Sequence, residues 1–192
     1  TKTVPVVFAA VTDPVAAKLV SSWKASGTNV TGVSDMLSLP PQIDLIEKVK
    51  PGAKRIGMVY SPGEVNSVTV ARELKAELAK RNMTLVEAAA PRTVDVAPAA
   101  KSLVGKVDAI YTSTDNNVVS TYESLVRVAS DAKIPLIAAD TDSVKRGAIA
   151  ALGMNYYDMG RQTGKIVVRI LKGEKPGDIA PQLGDKTSLT VN

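Results

Sequence analysis

The feature that most constrains this chain is a repeated handover, in which a short run rich in Val, Ile and Ala ends in a polar loop that leads into a stretch of helical periodicity. Val6-Val7-Phe8-Ala9-Ala10-Val11 runs into Thr12-Asp13-Pro14, and Ile56-Gly57-Met58-Val59-Tyr60 into Ser61-Pro62-Gly63-Glu64-Val65-Asn66-Ser67. Val107-Asp108-Ala109-Ile110-Tyr111 runs into Thr112-Ser113-Thr114-Asp115-Asn116-Asn117, and Ile134-Pro135-Leu136-Ile137-Ala138-Ala139 into Asp140-Thr141-Asp142-Ser143. Near-continuous apolar runs are the mark of strands buried on both faces, and their alternation with amphipathic helices specifies βα units around a parallel sheet. The fold class read from the sequence is therefore α/β. In a parallel sheet the carboxyl ends of the strands lie on one edge, where α/β folds hold their ligands, so the polar loops are expected to line a crevice there.

The same periodicities predict strands over 4–10, 55–60, 84–88, 109–111, 135–138 and 148–152, and helices over 14–22, 41–49, 65–81, 94–104, 116–131 and 156–171. The third of these helices shows the logic. Val70, Leu74 and Leu78 recur at helical spacing while Arg72, Glu73, Lys75 and Lys80 take much of the other face. Its start, Asn66-Ser67, offers capping side chains and backbone N–H groups suited to an anion. Taken alone, capping accounts for both residues better than ligand contact does.

Two stretches read as connections: the extended, Gly-containing Asn29-Val30-Thr31-Gly32-Val33-Ser34-Asp35, and Gly153-Met154-Asn155-Tyr156-Tyr157. The expected organisation is one α/β lobe over 35–154, with 1–34 and 155–192 forming part of another lobe and its crossovers. The Pro- and Gly-containing stretch 173–184 is expected as a loop.

Composition removes several function classes. There is no cysteine and no histidine, so thiol nucleophiles, disulfides, the usual zinc ligand sets and the commonest general base are absent. The net charge of +5 is spread over scattered lysines and arginines, and aromatics make up only 4%, which speaks against nucleic acid as a partner. No apolar run approaches the roughly 20 residues of a membrane-spanning helix, and the first residues do not read as a signal peptide. Neither G-x-G-x-x-G after a strand nor a G-x-x-x-x-G-K-[ST] loop occurs, so no cofactor is expected. Gly160-Arg161-Gln162-Thr163-Gly164-Lys165 falls inside a predicted helix, where its glycines permit close packing.

Carboxylates remain. Asp115, Asp140 and Asp142 sit at strand ends, and paired carboxylates serve glycosidases and metal-dependent hydrolases. The same loops carry Thr114, Asn116, Asn117, Thr141 and Ser143, neutral groups that fix a ligand's orientation. In Thr12-Asp13-Pro14, Pro14 suits the first turn of a helix and Asp13 its cap, while the turn also presents a hydroxyl and N–H donors to the sheet edge.

Taken together, Val7-Phe8-Ala9-Ala10-Val11-Thr12-Asp13-Pro14, Asn29-Val30-Thr31-Gly32-Val33-Ser34, Pro51-Gly52-Ala53-Lys54-Arg55-Ile56-Gly57 and the stretch from Val107 to Asn116 closely resemble the ABC transporter substrate-binding proteins that include the tryptophan and tyrosine binders. The resemblance continues through Lys133-Ile134-Pro135 and Gly147-Ala148 to Leu171-Lys172-Gly173-Glu174-Lys175-Pro176. It implies a type I periplasmic binding protein, with two α/β lobes joined by crossovers and closing over a ligand in a cleft. It also implies further βα units ahead of Val7 and an extension beyond Asn192. The expected role is an extracytoplasmic, non-enzymatic receptor, periplasmic or lipid-anchored, that delivers a small polar ligand to a membrane permease; the ligand expected is an amino acid, possibly aromatic. Matched residue by residue, Thr12 and Asp13 belong to the first lobe, and Asn66, Ser67, Thr114, Asp115, Asn116 and Asp140 to the second. Asp115 or Asp140 would take the ligand's ammonium, while hydroxyls and helix-start N–H groups would take its carboxylate. Two rivals stand beside this reading: the effector-binding core of a transcription regulator, and a hydrolase using Asp115 and Asp140.

Overall fold

A computed structural model describes residues 2–192. In chain order its strands and helices are β1 (Val6–Ala9), β2 (Val30–Ser34), α1 (Leu39–Val49), β3 (Arg55–Tyr60), α2 (Val65–Ala79), β4 (Thr84–Ala89) and α3 (Val96–Leu103). There follow β5 (Ala109–Thr112), α4 (Asn116–Ser120), α5 (Tyr122–Asp131), β6 (Leu136–Ala138), α6 (Asp142–Lys145) and β7 (Ala150–Met154). The chain closes with α7 (Tyr156–Leu171), β8 (Gln182–Leu183) and β9 (Thr187–Val191). It divides into two compact units, the first comprising residues up to Leu37 with Met154–Thr187, the second Ser38–Gly153 with Ser188–Asn192.

The second unit is built on strands in the order β4-β3-β5-β6-β7, paired parallel, with β9 beyond β7. The pattern read from the sequence explains the burial: Ile56, Met58, Val59, Ile110 and Ile137 have no exposed surface, and Leu74 and Leu78 of α2 are likewise fully buried. Each such side chain contributes about 1.5–3 kcal/mol by leaving water. On one side of the sheet, Val96, Ala100 and Leu103 of α3 pack with Tyr122, Leu125 and Val128 of α5.

One carboxylate ties the starts of two strands together. Asp108, just before β5, accepts hydrogen bonds from the Lys54 and Arg55 N–H groups at 2.9 and 2.8 Å and from the Arg55 guanidinium at 2.8 Å. That guanidinium is the main reason the Asp108 carboxyl titrates near 2, below its ordinary value.

The first unit holds a small sheet in the order β1-β2-β8, again paired parallel. Helix α7 buries Met159 and Ile166 against Val33, Met154 and Ile179. Gly32 faces Phe8 in the ladder, and a Cβ there would lie 2.2 Å from the Phe8 carbonyl oxygen, so only glycine permits this approach.

Three expectations need correction. The stretch 14–22 is not a helix: Ala17 N–H reaches the Asp13 carbonyl, but Lys18 then turns to φ 59° and Leu19 N–H closes back on Pro14. One turn forms and a left-handed residue ends it, as at a helix C-terminus. The single helix expected over 116–131 is two, α4 and α5, broken at Thr121 with φ −124° and ψ 32°. Thr121 and the nearby Val118 and Val119 are β-branched and favour helix weakly. Finally, 173–184 is not all loop, since it supplies the short strand β8.

Candidate functional site

The carboxyl ends of β3 and β5 are joined by one buried carboxylate. Asp115, the N-cap of α4, has no exposed surface. Its Oδ2 accepts from the Ser61 N–H at 2.6 Å and the Ser67 hydroxyl at 2.6 Å. Its Oδ1 accepts from the Val118 N–H at 3.0 Å and lies 2.9 Å from the Ser61 hydroxyl. The one Ser61 hydroxyl proton is shared with the Ala90 carbonyl at 3.1 Å, and Asn117 Nδ2 donates to the same Ser61 oxygen at 2.9 Å. An ionised carboxylate has about four acceptor positions, and here the protein's own donors surround them. The ammonium role expected of Asp115 is therefore replaced by an organising one, which ties the loop after β3 to the loop after β5.

A second carboxylate braces the outer side of the same loops. Glu64 Oε2 accepts from the Asn116 N–H at 3.1 Å, from Asn116 Nδ2 at 2.8 Å and from Asn66 Nδ2 at 3.2 Å. Asn66 Nδ2 also donates to the Thr114 carbonyl at 3.1 Å. The capping expected of Asn66 and Ser67 does not occur: α2 starts at Val65 with Glu64 as its N-cap, and both side chains bond across to the β5 loop instead. Asn66, Ser67, Thr114, Asp115 and Asn116 thus form one network, with Asn116 exposed and Asn66 and Thr114 half-buried.

Other groups stand apart from that network. Asp140, after β6, accepts from the Asp142 N–H at 3.2 Å and the Ser143 hydroxyl at 3.0 Å, so it holds the start of α6. The Ser113 hydroxyl is buried beside the network and, among the described residues, has no hydrogen-bond partner, which costs about 1–3 kcal/mol. Tyr111 is core, its phenol pushed up by burial, and Tyr122, whose hydroxyl lies 3.2 Å from that of Thr112, is pushed up to about 12 for the same reason. A cavity of about 420 Å³ lined by Val126, Ala129, Ile134 and Ile149 lies beside the residues that lead into β6 and β7, at the opposite ends of these strands.

In the first unit, Asp13 accepts from the Val15 and Ala16 N–H groups at 3.1 and 2.9 Å, capping the single turn. The buried Thr12 donates from Oγ1 to Asp35 at 2.8 Å, and Tyr156 donates to the other Asp35 oxygen at 3.1 Å. Sequence reasoning singled out neither Asp35 nor Glu64 nor Ser61. Ser61 directly follows a strand, the one signal that marked its position.

Among the described residues no group of three or more acidic side chains is placed to hold a metal ion, and no helix is long and apolar enough to cross a membrane. Parallel βα units with polar loops at the strand ends fit the type I periplasmic-binding-protein fold, and similar solved structures bear that fold out. One from Vibrio cholerae O1 biovar El Tor, described as a conserved domain protein, is 44% identical with a TM-score of 0.94, matching all of this chain and 64% of its own. Another, an ABC domain in complex with L-Trp from Streptococcus pneumonia, is 37% identical with a TM-score of 0.93, matching all of this chain and 67% of its own. This chain belongs to the ABC transporter substrate binding protein family, whose sequence profile matches residues 1–192. A curated relative, the tyrosine-binding protein of Clostridioides difficile (strain R20291), is 39% identical over 192 residues, and the chain spans 56% of that protein's length.

Proposed function

We propose that this chain serves as a solute receptor for an ABC importer, and that its ligand is an amino acid with an aromatic side chain. The observation that carries the reading is the braced polar edge of the second unit. Asp115 and Glu64 fix the loops after β3 and β5 internally, which leaves Asn116, Asn66 and Thr114 presented on a rigid support. Pre-organised neutral donors and acceptors suit reversible binding, because little ordering remains to be done when the ligand arrives. Thr12 and Asp13 of the first unit and Asp140 of the second are the remaining proposed contacts. Two relatives support the ligand class, one described as tyrosine-binding and one solved with L-Trp.

The same geometry weighs against a hydrolase. Asp115 is fully buried and held by three donors, with the Ser61 hydroxyl against its remaining oxygen position, an arrangement that suits structural support better than attack on a substrate. On this reading the protein works outside the cytoplasmic membrane and hands its ligand to a permease. A thermal-shift screen of the full-length protein against amino acids, sugars and aromatic acids tests it: tyrosine or tryptophan raises the melting temperature and sugars do not. Stabilisation by sugars alone would overturn the ligand class.

A further inference from the structure

The polar edge of the first unit contains a carboxylate of a different kind from Asp115. Asp35 directly follows β2 and is 9% exposed. Its Oδ1 accepts from the Thr12 hydroxyl at 2.8 Å and its Oδ2 from the Tyr156 hydroxyl at 3.1 Å. Neutral hydroxyls thus occupy two of about four acceptor positions. Among the described residues, none of the ion pairs between side chains includes Asp35. A charge so far removed from water is disfavoured unless a cation meets it.

The other acidic groups at strand ends are better provided for. Asp115 is ringed by donors, two of them backbone N–H groups. Glu64 receives three hydrogen bonds from amide groups, and Asp140 lies within electrostatic reach of the Arg146 guanidinium. Asp13 is half-buried and caps a turn through two backbone N–H groups.

Asp35 is also held still. Thr12 follows β1, Tyr156 opens α7, and the Ser34 hydroxyl donates to the Thr12 carbonyl at 2.8 Å, so three elements of the first unit orient one carboxylate. A carboxylate of fixed plane, stripped of most of its water, is the partner that an ammonium group with its three N–H donors binds most strongly. We infer that Asp35 accepts the ligand's ammonium group, with Thr12 and Tyr156 as its positioning residues. The inference rests on the reading that the ligand is an amino acid.

The test is titration calorimetry on the full-length protein with two pairs of probes: L-tyrosine with 3-(4-hydroxyphenyl)propanoate, and L-tryptophan with indole-3-propanoate. The second member of each pair lacks the ammonium alone. Wild-type protein should prefer the amino acid by about 100-fold, the scale of a buried charge contact. Asp35→Asn should lose about that factor on the amino acid and change its analogue by less than about threefold. Glu73→Gln, at an exposed carboxylate of α2 that pairs with Arg72 away from the proposed site, should keep the wild-type ratio. If Asp35→Asn weakens both members equally, or keeps the wild-type ratio, the assignment is overturned while the receptor reading stands. If wild-type protein binds neither amino acid, the ligand reading fails and this assignment with it. Should Asp35→Asn fail to fold, the ratio is read on Thr12→Val, which keeps the carboxylate and frees its orientation: a fall in the ratio supports the assignment, and an unchanged one overturns it.

Discussion

The Ser67 hydroxyl and the Asp115 carboxylate meet at 2.6 Å across 48 residues of sequence. The contact joins the first turn of α2 to the N-cap of α4, so two loops that the chain makes far apart behave as one surface.

Replacing Asp115 removes the acceptor for two backbone N–H groups and the Ser67 hydroxyl at once. Asp115→Ala should destabilise the second unit by about 3 kcal/mol or more, since each buried group left unpaired costs about 1–3 kcal/mol. Ser67→Ala, which removes one donor, should cost about 1 kcal/mol. Urea unfolding monitored by circular dichroism reads both, and an Asp115→Ala midpoint equal to that of wild type would show the carboxylate to be dispensable.

Acid should weaken the protein partly through Asp108. Its folded-state pKa near 2 lies below the unfolded value near 3.8, so the stability it contributes is complete above the higher figure and disappears as pH falls through the lower one. The Arg55 guanidinium is half exposed, so solvent screening keeps this contribution small. Melting temperatures between about pH 4.5 and pH 2 should therefore fall less steeply for Asp108→Asn than for wild type. Equal slopes would remove Asp108 from the account.

Gly32→Ala should disrupt the first unit. Its Cβ would meet the Phe8 carbonyl oxygen at 2.2 Å, a backbone atom in a paired strand that has no free path of retreat. Overpacking of this kind costs about 3 kcal/mol or more. Gly57→Ala, whose nearest neighbour is the Leu103 side chain at 3.0 Å, should cost less. Amide hydrogen exchange localises the damage; loss of protection in Val6–Ala9 and Val30–Ser34 is expected for Gly32→Ala.

Asn116→Ala leaves the Asp115 cluster intact while removing one exposed amide from the proposed binding edge. Ligand affinity should drop by about tenfold, as for one lost polar contact, with little change in melting temperature. Calorimetry alongside a melt separates the two effects, and unchanged affinity would exclude Asn116 from the site.

The elements most legible in the sequence are those whose burial follows from local pattern. Strand β3 and helix α7 have the bounds that apolar run and helical spacing predict, 55–60 and 156–171. Pattern failed where a single residue's backbone decided the outcome, as at Lys18 and Thr121, because periodicity continues past both. Strand β8, two residues long, is too short to carry a period and exists through its pairing with β2. At the site, sequence identified polar strand ends but not their division of labour. Whether Asp115 faces solvent depends on Ser61 and Ser67, which are 54 and 48 residues away, and no local rule brings them to it.

The most direct test of the account is titration calorimetry of the full-length wild-type protein with the twenty amino acids. The account predicts saturable one-to-one binding of L-tyrosine or L-tryptophan with a dissociation constant on the order of 1 μM or tighter, and none for lysine or glutamate. Folded protein that releases no binding heat with either aromatic amino acid, yet binds a sugar or a charged amino acid, would contradict it.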